Sequence, residues 1–285
     1  TSSNDSARPS SGGRDRWSIL YRVGLIGTGN MGQAMLGAWT DSGTLEPSQI
    51  IVTDKDPQKA ASASGSFSVE TGTLAEVGGQ SDVVILAVKP QDSDEVLAGL
   101  SGVMSGTQVL LSIAAGLTIG SIREKVGGEP TVVRVMPNMA ARVRAAVSGF
   151  AVDPGSGEFD IAIVRGLLEA IGEAEEVDEK WMDLVTAVSG SGPAYFFYLT
   201  EALEGAAIRQ GMPEAVARKL ARETLWGAAK TIKETGAEPA DLRKAVSSPG
   251  GTTLAALSEM DSAGFVDIIG KAVEAAMRRA GELAR

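Results

Sequence analysis

The chain contains no cysteine and no histidine. These absences exclude a disulfide framework, a thiol nucleophile and any zinc site built on Cys or His. They also remove the side chain most often used for general acid–base catalysis near neutral pH. Chemistry here must run on carboxylates, hydroxyls, lysines, backbone amides or a cofactor. The lack of cysteine fits a reducing cytoplasm. Positive charge is also scarce: 26 Lys and Arg stand against 36 Asp and Glu, a net charge of −10. That balance speaks against a nucleic-acid partner and against an anionic membrane surface. No apolar run reaches the roughly 18 residues of a transmembrane helix, so no membrane span is expected.

What is present suffices for one or two domains: 285 residues, 44% of them apolar. Residues 1–18 are polar and rich in Ser and Gly, without apolar period or the core of a secretory signal, and read as a disordered leader. From Tyr21 onward short apolar runs alternate with helix-like stretches. The runs are Val23–Ile26, Ile50–Val52, Val83–Val88, Val109–Ile113 and Val132–Met136, with weaker candidates at Gly149–Val152 and Glu173–Val177. Near-continuous rather than alternating apolar character suits strands buried on both faces, and intervening helices imply a parallel sheet. From about Trp181 the sequence reads as helix, broken at Gly211–Pro213, Gly236–Pro239 and Ser247–Gly251. The expectation is therefore an α/β chain: a Rossmann-type dinucleotide-binding domain over 19–178, then an all-helical domain over 179–285. Apolar stretches such as Ala194–Leu199 are hard to bury in so small a helical unit alone and call for an oligomer interface.

The first run leads directly into Gly27-Thr28-Gly29-Asn30-Met31-Gly32, at the head of a helix. In that strand–turn–helix context the glycine spacing marks a dinucleotide site. Gly27 permits the tight turn, Gly29 lets a pyrophosphate approach the backbone, and Gly32 lets helix pack on strand. The second run is followed by Asp54 and Lys55. An acid about 20 residues beyond the glycines favours the ribose hydroxyl of NAD, whereas a cation suits the 2′-phosphate of NADP. The pair leaves NADH and NADPH both open. Ala87-Val88-Lys89-Pro90, Ala114-Ala115 and Asn138 follow later strands, at the end of the sheet where ligands bind. Asn138 suits either a carboxamide contact or a helix cap.

A second cluster, Ser247-Ser248-Pro249-Gly250-Gly251-Thr252-Thr253, lies between helices of the C-terminal half. Adjacent glycines ahead of a helix expose amides, and Ser and Thr add hydroxyls, so the turn is suited to a carboxylate or phosphate. A helix-breaking loop with a Thr cap is the structural alternative. A third cluster, Ser189-Gly190-Ser191-Gly192-Pro193, starts or kinks a long helix and permits close helix contact.

Taken in order, VGLIGTGNMGQAMLGAW, AVKPQ, SIAAGLT, VRVMPN, AVSGSGPAYFFYLTEALEGAA and SSPGGTTLAAL resemble the pyrroline-5-carboxylate reductase family, from about Val23 to the end of the chain. The last two motifs are far more specific than the glycine turn. The resemblance implies a Rossmann domain joined to a helical dimerisation domain, homodimers that can assemble into decamers, and reduction of 1-pyrroline-5-carboxylate to L-proline with NADPH or NADH. It implies that Gly27 to Gly32, Ala87 to Pro90, Ala114 and Ala115 line the cofactor. Ser248, Gly250, Gly251, Thr252 and Thr253 would hold the substrate carboxylate, with Thr253 reaching the ring nitrogen as the catalytic contact. Two departures bear on substrate fit and rate: Met139-Ala140 stands where the family commonly has Thr-Pro, and Lys244 where it often has an acid. Two rival readings are a β-hydroxyacid dehydrogenase-like reductase and a non-catalytic dinucleotide sensor. The first commonly needs a lysine as proton donor, and the stretch Ala187–Ile208 has none. The second leaves the Ser/Gly/Thr turn unexplained.

Overall fold

The computed structural model describes residues 21–127, 130–154 and 156–283; the expected leader, 1–18, lies outside the described residues. Eight strands form one sheet: β1 (Val23–Ile26), β2 (Ile50–Thr53), β3 (Glu70–Thr71), β4 (Val83–Leu86), β5 (Val109–Ser112), β6 (Thr131–Met136), β7 (Ala146–Val152) and β8 (Gly172–Glu176). Their order is β3-β2-β1-β4-β5-β6-β7-β8. All neighbours are parallel except β6 and β7, which run antiparallel. The five strong apolar runs are the five strands β1, β2, β4, β5 and β6. The run at Val83 ends as strand at Leu86, and Ala87 onward is loop. The exposed two-residue β3 has no apolar signature by which to find it.

Helices α1 (Asn30–Ser42), α2 (Pro57–Phe67), α3 (Leu74–Gln80), α4 (Ser93–Leu100), α5 (Ile119–Val126) and α6 (Glu158–Glu169) cover both faces of this sheet. One face packs Leu25, Val52, Ile85 and Leu111 against Met35, Leu36 and Trp39 of α1 and Leu167 of α6. The other packs Ile26, Ile51, Val84 and Leu110 against Leu97 and Ile122. Two buried faces are what continuous β-branched runs require. The Trp39 indole N–H donates to the carbonyl of Leu167 at 2.9 Å, tying α1 to α6 without leaving a buried donor unpaired. Register matters for function. Ile26 of β1 is level with Thr53 of β2 and with Leu86 of β4, so the loops leaving these three strands open side by side.

Beyond β8 the described residues hold only helices and turns. These are α7 (Met182–Val185), a π-helical turn (Thr186–Gly190), α8 (Gly192–Arg209), α9 (Glu214–Thr235), α10 (Pro239–Ala245), α11 (Thr252–Ser262) and α12 (Phe265–Leu283). Helix α8 thus begins at Gly192, and the Ser/Gly cluster forms the irregular turn before it. The long helices bury little. Phe196, Tyr198 and Trp226 are 58%, 75% and 64% exposed, with Phe197, Leu203, Leu220 and Ile268 also open. An ion cluster around the buried Arg134 helps to join the halves. Arg134 of β6 donates to Asp183 of α7 at 3.0 Å and lies 3.7 Å from Glu179. Glu179 in turn accepts from the free Ile119 N–H at the start of α5, at 2.7 Å.

Candidate functional site

The three aligned loops enclose a cavity of about 350 Å³. Gly27 and Gly29, Asp54 and Lys55, and Ala87, Val88 and Lys89 all line it, with Leu74 and Val96 supplying an apolar wall. Each glycine has its own geometric reason. Gly27 sits at φ +101°, and a Cβ there would lie 2.5 Å from the Ala87 carbonyl oxygen. A Cβ on Gly32 would collide with the Gly27 carbonyl. A Cβ on Gly29 would meet nothing within 4 Å; here the missing side chain leaves room at the cavity rather than within the packing. Gly29 also caps α1 with no side-chain hydrogen bond, so the first-turn amides and the positive helix end remain for an anion. An open cradle at a helix start, beside an acid at the end of β2, fits a dinucleotide.

Asp54 braces the turn. Its Oδ2 accepts from the Thr28 N–H at 2.8 Å and the Thr28 hydroxyl at 3.1 Å, and its Oδ1 accepts from the Asp56 N–H at 3.0 Å. Burial alone raises a carboxyl's pKa; the amides of Asp56 and Thr28 outweigh it and hold Asp54 below the usual 3.8. Thr28 itself is fully buried behind the turn, and its carbonyl accepts from Gln33 at 3.0 Å. Lys55 points the other way: its Nζ donates to Asp92 Oδ1 at 2.7 Å, on the loop after β4. That hydrogen bond, together with the Asp92 charge, raises the pKa of the ammonium.

Other expected cofactor residues stand off the cavity wall. Asn30 opens α1, Met31 packs at the edge of the core, and Pro90 starts a short turn after Lys89. Ala114 is buried in the second core cluster and Ala115 is half-buried beside it. Asn138 acts as a cap, accepting from the Ala140 N–H at 3.2 Å, while its Nδ2 donates to the Ser189 carbonyl at 3.2 Å. That bond brings together two motifs distant in sequence, the end of β6 and the Ser/Gly turn. A Cβ on Gly190 would lie 2.7 Å from Met136 Cε, so a larger residue there would displace the end of the Met136 side chain.

The second glycine turn is well formed but apart. Gly250 is at φ +72°, and the Gly251 N–H closes the turn on the Ser248 carbonyl at 2.9 Å. Gly251 caps α11 without a side-chain bond. Ser248, Gly250 and Thr252 are exposed, and Gly251 and Thr253 half-buried. None of these five residues lines the cavity beside Gly29. Within one protomer the two turns are not joined. Lys244 lies outside the turn, 3.5 Å from Asp241 on the exposed side of α10. The residues that sequence reasoning missed are Asp92 and Arg134. Each pairs across a long stretch of chain, which leaves no local pattern to read.

Comparison with known proteins agrees with this plan. The family model for pyrroline-5-carboxylate reductase dimerisation matches residues 179–283, and that for NADP oxidoreductase, coenzyme F420-dependent, matches residues 22–116. The chain is 38% identical over 266 residues to pyrroline-5-carboxylate reductase of Arabidopsis thaliana, covering 93% of this chain and 96% of that one. Among solved structures, a pyrroline-5-carboxylate reductase from Coxiella burnetii superposes with a TM-score of 0.88 at 31% identity, covering 93% of this chain and 99% of that one. The Plasmodium falciparum pyrroline carboxylate reductase with NADP bound superposes with a TM-score of 0.81 at 26% identity, covering 93% and 98%.

Proposed function

We propose how the work is divided in this chain, which belongs to the pyrroline-5-carboxylate reductase family: the sheet domain holds the dinucleotide and the turn before α11 holds the substrate. The enzyme reduces 1-pyrroline-5-carboxylate to L-proline with NADH or NADPH, the last step of proline synthesis, and works as a homo-oligomer. The observation that carries the division is the pair of glycine turns, each opening a helix whose first amides no side chain caps. One accompanies the cavity at the sheet; the other is sized for a carboxylate.

Lack of histidine is compatible with this reaction. A cyclic imine that enters protonated already has an electrophilic carbon, so no strong enzymic acid is needed to begin. A bound reduced nicotinamide supplies the hydride that this carbon accepts. The chain's own residues orient. The amides around Gly250 and Gly251 fix the substrate carboxylate, with Ser248 and Thr252 beside them. The Thr253 hydroxyl holds the ring nitrogen and its proton, which remains on the amine once the C=N bond is reduced. On the cofactor side Gly27 to Gly32, Asp54, Lys55 and Ala87 to Pro90 seat the dinucleotide, Ala114 and Ala115 leave it room, and Asn138 fixes the loop beside it.

Because the two turns are not joined in one protomer, we place the working site between the sheet domain of one protomer and helices of both. The exposed apolar faces of α8 and α9 support a dimer. Further assembly to decamers and a cytoplasmic location complete the proposal. Steady-state assays of cofactor oxidation on adding pyrroline-5-carboxylate test the roles. Thr253→Ala lowers turnover by about 10- to 100-fold with cofactor affinity nearly unchanged. Gly250→Val, strained at its positive φ, raises the substrate KM. Unchanged turnover in the first, or a normal KM in the second, removes the assigned role.

A further inference from the structure

We propose that the Lys55–Asp92 ion pair sets which dinucleotide this chain prefers. Asp92 favours NADH by withholding Lys55 from a 2′-phosphate. The inference rests on the reading that the cavity beside Gly29 seats the dinucleotide.

NADH and NADPH differ by one phosphate on the adenosine ribose, and that ribose sits at the carboxyl end of the second strand. Asp54 and Lys55 stand there. Asp54 is held in place by three hydrogen bonds and kept ionised, so it can accept from a ribose hydroxyl with its remaining lone pairs but repels a phosphate dianion. Lys55 is the cation next to it in sequence, yet its ammonium is bonded at 2.7 Å to Asp92 on the loop after β4. Two further lysines, Lys59 and Lys89, and the acid Glu95 also face the cavity. Three ammonium groups thus stand against three carboxylates, and no excess positive charge draws in a phosphate. Neutralising Asp92 frees Lys55 and tips the wall by one positive charge. Asp92 makes no side-chain cap bond at α4, so its amide analogue leaves that helix start intact.

The test is binding, measured on the cofactor-free chain by titration calorimetry with NADH, NADPH and 2′,5′-ADP. Wild type is expected to bind NADH about tenfold or more tighter than NADPH. Asp92→Asn is expected to tighten NADPH and 2′,5′-ADP by about tenfold while NADH changes by less than about twofold. Adding Lys55→Ala to that variant is expected to abolish the gain. Wild type preferring NADPH, Asp92→Asn shifting both dinucleotides equally, or a gain that survives Lys55→Ala overturns the proposal. Undiminished binding of both dinucleotides by Gly29→Glu, which fills the cradle, overturns the cavity assignment beneath it, an outcome distinct from a changed ratio.

Discussion

The two halves of this molecule bury their apolar residues in different ways. The sheet domain encloses its own core: Val23, Leu25, Ile85 and Leu111 have no exposed surface or almost none. The helical half leaves Phe196, Phe197, Tyr198, Leu220 and Trp226 open. A stretch of this composition is not disordered; it is half of something. In the proposed division, the cofactor site thus belongs to a unit with its own core, whereas the substrate site belongs to a unit whose open faces a second copy covers.

The sharpest way to break this contrast is to charge the open face. Phe197→Glu combined with Trp226→Glu is expected to yield monomers in light scattering and to lower reductase activity by about 100-fold or more, with dinucleotide affinity within about twofold of wild type. Activity retained by a monomer would make the helical half self-sufficient after all. A smaller effect is expected at the junction of the halves. Arg134→Ala leaves Asp183 and Glu179 without their cation and is expected to lower unfolding free energy by about 1–3 kcal/mol, read from denaturant melts. The smallest effect concerns pH. Because Asp54 titrates lower in the folded chain than its ordinary 3.8, its contribution is full above that value and lost as pH falls through the depressed one. Asp54→Asn should thus lower stability by a constant amount above about pH 5 and flatten the acid limb below about pH 4, where the two curves converge.

How much of this could be read from sequence follows the same division. The five strong strands were legible because burial on both faces demands unbroken β-branched runs, and the reversal at Gly27 because only glycine accepts φ +101° against the Ala87 carbonyl. β3 escaped because two exposed residues, Glu70 and Thr71, carry no such demand. The antiparallel pairing of β7 escaped because pairing direction is set by the connection rather than by strand composition. Asp92 and Arg134 escaped for another reason. Their partners lie 37 and 49 residues away, and an ion pair has no period. The Ser248–Thr253 segment was legible as a turn opening a helix, because adjacent glycines break the helical pattern and Gly250 takes φ +72°. What it faces depends on residues distant in sequence, which no local pattern records.

Whether the site is shared between protomers can be decided with two inactive variants. Gly29→Glu fills the open cradle and repels the pyrophosphate; Gly250→Val distorts the substrate turn. Each homo-oligomer should be inactive. When the two are mixed, unfolded and refolded together, hybrid dimers carry one intact cofactor turn facing one intact substrate turn, and activity should return to about a quarter of wild type. Mixtures shown by mass spectrometry to have exchanged subunits, yet still inactive, would place both turns of each working site in a single chain.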